Sequence, residues 1–157
     1  MLWILAALAG ATGAATGLVV AQPWLLDPSI PRTRGLDEAV MADLVAVLER
    51  GLSRIRHASS LTGARSARGR LLVALDDAGR ALPVGAASAL HARYAPAADA
   101  ALIARCFAEA DTAERRLDGW GAVQALEAVM ELVPLESETW VIARKRIADL
   151  HVRGLGR

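Results

Sequence analysis

The sequence predicts an all-α protein: a single N-terminal transmembrane helix followed by a small helical domain. Three observations carry that prediction. Leu2 to Ala21 is twenty residues without a charge, bracketed by Trp3 and Trp24. Beyond it, apolar residues recur at the three- and four-residue spacing of helix faces. The composition is 54% hydrophobic with one Phe and one Tyr, so the core must come from Leu, Val, Ile and Ala rather than the aromatic and β-branched side chains that favour sheets. The chain divides into an anchor over 1–26, a proline-rich connector over 27–35 and a helical domain over 36–157.

As a helix, the steps from Trp3 to Trp24 rise roughly 32 Å, close to the ~30 Å hydrocarbon thickness of a bilayer. The two indoles are the expected interface anchors, because an apolar ring with a polar N–H suits the headgroup level. A cleaved signal peptide, with Val19-Val20-Ala21 as a weak cleavage site, is the competing reading. A signal peptide calls for a basic leading segment, and no Lys or Arg precedes Arg32. Ala6, Gly10, Gly13 and Gly17 share one stripe of the helix, and Gly13 with Gly17 makes a Gly-x-x-x-Gly pattern. In lipid such a groove of small residues lets a second backbone come close and gain dispersion contacts. The alternative source of these residues is a GC-rich genome, which one lysine against seventeen arginines also suggests. Arg32 and Arg34 trail the segment, so the positive-inside tendency places the N-terminus outside and the soluble domain in the cytoplasm.

The net charge of +1 conceals segregation. Six arginines and no carboxylate lie between Arg50 and Arg70, namely Arg50, Arg54, Arg56, Arg65, Arg68 and Arg70. Eight carboxylates lie between Glu109 and Glu138, and the tail from Arg144 is again basic. The acidic section can fold against a basic one, or the two can face partners. The arginine segment would suit anionic lipid headgroups. Nucleic acid is disfavoured, since no stacking aromatics accompany the arginines. Cys106 is the one cysteine, so an intrachain disulfide is excluded, and a small buried hydrophobe is the expected role.

Along the chain, Pro23, Pro28 and Pro31 prevent continuation of the anchor helix and make a stiff connector. Met41, Leu44, Val45, Leu48, Leu52 and Ile55 then mark a helical face between Leu36 and Arg56, read as core ahead of a coiled-coil contact. His57 to Gly69 has little to bury and reads as a mobile loop or frayed helix start. Leu71 to Leu82 fits a helix, with a hairpin around Asp77-Ala78-Gly79 as the alternative for residues 71–84. Val84 to Tyr94 reads as a short helix broken by Pro96, which would open the next one, running to Leu117 with Leu102, Ile103, Cys106, Phe107 and Ala110 inward. A stripe from Trp120 through Val123, Leu126, Met130 and Val133 ends at Pro134. Ser137 is the expected N-cap of a last helix that buries Trp140, Ala143, Ile147 and Leu150.

Ala122, Leu126 and Pro134 fall at the offsets of the Ala, Phe and Pro positions of a tetratricopeptide repeat, with Trp140 at the next repeat's tryptophan position. Residues 103–150 thus resemble that family's helical hairpin. Cys106, Ala110 and Ala113 replace its Trp, Gly and Tyr, and a generic helical hairpin is the competing account. The resemblance implies a protein-binding scaffold rather than an enzyme. Separately from the resemblance, Trp120 and Trp140 are the expected protein contacts. Membrane-anchored proteins with such repeats often act as assembly factors, for example in cytochrome c maturation.

No phosphate loop, paired-cysteine motif or nucleophile elbow occurs, and His57, His91 and His151 stand apart. No catalytic residue, cofactor or metal site is therefore expected. The expected role is a non-catalytic accessory or scaffold subunit, partnered by an integral membrane protein or by itself. A self-associating module reading anionic lipid is the alternative.

Overall fold

The computed structural model describes residues 38–155, which form five α-helices and no strand. They are α1 (Glu38–Arg56), α2 (Leu61–Ala81), α3 (Val84–Arg115), α4 (Gly119–Leu132) and α5 (Glu138–Val152). The expected all-helical body is thereby observed. The anchor residues Trp3, Ala6, Gly10, Gly13, Gly17 and Trp24, with the connector, lie outside the described residues. Among the described residues no helix is long and apolar enough to cross a membrane.

Each helix packs against the next in sequence, and α1 also packs against α3. α1 turns Met41, Val45, Leu48, Leu52 and Ile55 inward. Burying such side chains contributes about 2 kcal/mol apiece, more than the intrinsic helix preference of any of them.

At His57–Gly69, expected as a mobile loop or a frayed helix start, the loop alternative is corrected by α2. The helix starts at Leu61, where the Ser60 hydroxyl accepts from the Gly63 N–H at 3.1 Å. Ala64 and Ala67 supply a buried face for this stretch without large apolar side chains. The turn before it is held by Arg105 of α3, whose Nε donates to the Ala58 carbonyl at 3.1 Å. The helix continues through Leu71, Leu75 and Ala78 to Ala81, so residues 71–81 are helical and the hairpin alternative is discarded.

α3 corrects a second expectation. It runs unbroken for 32 residues, about 48 Å, with Pro96 inside it. An interior proline costs about 3 kcal/mol through a lost hydrogen bond and a crowded carbonyl. Here one buried stripe, Leu90, Tyr94, Ala98 and Leu102, crosses the proline, whose own ring is exposed. Two bonds to other helices bracket it as well. The Tyr94 hydroxyl donates to Glu49 of α1 at 2.8 Å, and Arg68 of α2 donates to Asp99 at 2.6 Å.

α4 is the most enclosed helix. It buries Gly119, Ala122, Val123, Ala125, Leu126, Ala128 and Val129, leaving only the stripe Trp120, Gln124, Glu127 and Glu131 exposed. Ala122 and Leu126, the residues carrying the repeat resemblance, are both 0% exposed. Ser137 caps α5 as expected, accepting from the Trp140 N–H at 3.3 Å. α5 fully buries only Ala143 and Leu150.

Candidate functional site

The link from α3 to α4 places two large apolar side chains in solvent. At the end of α3 the Leu117 N–H donates to the Glu114 carbonyl and the Asp118 N–H to the Ala113 carbonyl, at 3.0 and 2.9 Å. That closure needs a left-handed residue at its centre, normally glycine. The residue here is Leu117, at φ 59°. α5 ends in the same arrangement, with the Leu155 N–H donating to the Leu150 carbonyl, but with Gly154 at the centre. Asp118 then caps α4 by accepting from the Gly121 N–H at 2.8 Å. The cap fixes the first turn so that Gly119, Ala122 and Val123 face inward, and Trp120 faces out. Leu117 is 74% and Trp120 61% exposed. Trp120 therefore does not begin the buried stripe, as the spacing suggested; the inward row starts at Gly119.

Gly119 has a separate reason to be glycine. A β-carbon there would collide with the Leu155 carbonyl, because the C-terminal turn folds back over the start of α4. Leu155 packs against the core from this position.

The two tryptophans singled out by sequence are not brought together. α4 is about 20 Å long and α5 returns alongside it, so Trp120 stands at one end of the pair and Trp140 at the other. Trp140 is half-buried under the Arg144 guanidinium, 5.1 Å from the ring centre. Near it Leu135, on the turn between α4 and α5, is 74% exposed, and Val141 and Ile142 are about half exposed.

The charge segregation is settled in part within the fold. Arg146 of α5 donates to Asp111 at 2.7 Å and to Glu114, both on α3, and Arg153 lies 3.6 Å from Glu114. The guanidinium of Arg146 is raised above its ordinary value by those carboxylates, against the opposing effect of burial. Of the six arginines in the basic segment, Arg68 is paired with Asp99 and Arg65 lies 3.6 Å from Glu131 of α4. Arg50, Arg54, Arg56 and Arg70 have no ion-pair partner among the described residues. Arg50 and Arg54, one turn apart, share the outward face of α1 with Val47, whereas Arg56 projects from its end. The segment is thus a divided surface, part of it spent on joining helices.

An open groove of about 400 Å³ lies between the end of α2 and the start of α3, lined by Leu75, Asp76, Gly79, Arg80, Ala87, Ser88 and His91. Arg80 is turned to Asp77 at 3.1 Å. Among the described residues, no hydrogen bond joins Asp76, Ser88 and His91, and no group of three His, Cys, Asp or Glu side chains is placed to hold a metal ion. Cys106 is fully buried on α3, as its expected role requires, and burial pushes its thiol up.

No family model, no curated protein and no solved structure matches this chain. The site residues that spacing did not reveal are Leu117, Leu135, Val141, Ile142 and Val152. Their signals were local: Leu117 directly precedes an Asp-Gly cap, and Leu135 directly follows a helix-ending proline.

Proposed function

We propose that this protein is a non-catalytic accessory or assembly subunit of a membrane protein complex. Its Leu2–Ala21 segment would be held in the bilayer between Trp3 and Trp24, with the stripe Ala6, Gly10, Gly13 and Gly17 against a helix of an integral membrane partner. Its helical body would supply the second contact. The observation that carries this reading is the exposure of Trp120 and Leu117, three residues apart at the one turn that joins α3 to α4. Tryptophan is among the side chains most enriched at the energetic centres of protein interfaces. The strained conformation of Leu117 supports the same reading, since a costly backbone held at an exposed position invites a functional reason.

The test is recovery of membrane partners after gentle detergent extraction. A Gly13→Leu, Gly17→Leu double variant and a Trp120→Ser variant should each lose partners while retaining the helical signal of the body. Unchanged recovery in both removes the proposal.

A second reading is favoured by Arg50 and Arg54 on one outward face beside Val47. These side chains, with Arg70, would rest on anionic headgroups, each basic side chain contributing about 1 kcal/mol near such a surface. Replacing all three by Gln should then weaken association with acidic vesicles, steeply so at low salt, and leave partner recovery intact.

A further inference from the structure

Among the described residues nothing packs on the outer face of α5, and the pattern of that face is two-fold. Val141, Lys145, Ala148 and Val152 fall at offsets of 0, 4, 7 and 11, a single stripe opposite the buried Ala143 and Leu150. Val141 is 51% and Val152 87% exposed. The stripe is symmetric about the midpoint between Arg146 and Ile147. Laid antiparallel on a copy of itself, it sets Val141 against Val152 of the second copy and Lys145 against Ala148. The charges agree with that placement. Lys145 and Asp149 lie on the same flank of the stripe, and neither has an ion-pair partner among the described residues. In the antiparallel pair, Lys145 of each copy comes level with Asp149 of the other, so the pairing is made twice and every one of these charges is matched.

We infer that α5 is a self-association surface, on which a second copy of this chain docks antiparallel through Val141, Lys145, Ala148 and Val152. A closed two-fold pair uses the same patch on both subunits, which is what a symmetric stripe with internally complementary charges provides. The helix has 15 residues, about 22 Å, so the contact lies at the small end of specific interfaces and forms a weak, reversible pair. Confinement of both copies to one membrane would raise its occupancy.

Disulfide trapping of the full chain in detergent tests the register, in a Cys106→Ala background. Ala148→Cys lies close to the two-fold axis and is expected to cross-link to its own copy. Val141→Cys or Val152→Cys alone stands roughly 16 Å from its own counterpart, beyond disulfide reach, whereas a mixture of the two cross-links. Lys145→Asp should lower the trapped fraction about five-fold, and adding Asp149→Lys should restore it. The same bands are expected with Gly13→Leu and Gly17→Leu present, which separates this contact from the anchor's proposed one. Self-linking of Val141→Cys would show a parallel pair and overturn the inference. So would absence of the Ala148→Cys band, the result expected if residues 1–37 or another protein cover this face.

Discussion

Replacing Leu117 separates backbone strain from surface contact. A left-handed conformation costs a residue with a β-carbon about 1–2 kcal/mol, which glycine avoids. Against that gain, glycine loses roughly 0.5–1 kcal/mol more chain entropy on folding. Leu117 is 74% exposed, so truncation also forfeits about a quarter of a leucine's burial, roughly 0.5 kcal/mol. Leu117→Gly should therefore gain only about 0.25 kcal/mol. Leu117→Val, with branching at the strained position, should lose about 1 kcal/mol. For a domain of this size those changes correspond to roughly +1 °C and −4 °C in Tm. The assay is thermal unfolding of the full chain followed by far-ultraviolet circular dichroism, with partner recovery measured on the same variants. Glycine should raise the midpoint and lower recovery. A valine variant at least as stable as the glycine one would refute the strain argument, and a glycine variant with full recovery would refute the contact.

Gly119→Ala should destabilise by about 2 kcal/mol or release the C-terminal turn, because its new methyl would meet the Leu155 carbonyl rather than a movable side chain. Limited proteolysis near Leu155 distinguishes the two outcomes, and an unchanged Tm with a protected terminus contradicts the packing. Arg146→Ala removes two charge-assisted hydrogen bonds between α5 and α3 and should cost about 2 kcal/mol; Arg146→Lys should recover only part, lacking the forked geometry. Cys106 should react with a thiol reagent only as fast as the protein opens. Its raised thiol also means that the unfolded state gives up its proton first as pH climbs, so stability should fall above about pH 9.0, and the Cys106→Ala variant should lack that component. Rapid labelling of the native protein would contradict its burial.

Sequence periodicity found helices wherever one face was strongly apolar. The row from Met41 to Ile55 and the Ser137 cap are local facts, readable without knowing the fold. It failed where the buried side chains were small. Ala64 and Ala67 carry the start of α2, and alanine looks the same to a periodicity argument whether buried or not. It failed again at Pro96, where the rule that proline ends a helix is local, whereas the bonds of Tyr94 to Glu49 and of Asp99 to Arg68 come from other helices. The candidate site was half legible. Trp120 was singled out as a contact but assigned to the inward stripe, because the turn set by Leu117 and Asp118 decides which way it points. The arginines could be counted, but their division between helix pairing and open surface depends on Asp99 and Glu131, distant in sequence.

The near-complete enclosure of α4 bears on how the chain acquires its shape during synthesis. Helices α1 to α3 can dock on one another as they emerge, since spatial neighbours are also chain neighbours. α3 makes its most extensive contact with α4, so the face of α3 that α4 covers lies open until α4 arrives. A nascent chain paused before Gly119 would thus display that apolar face, and a holding chaperone would find it there.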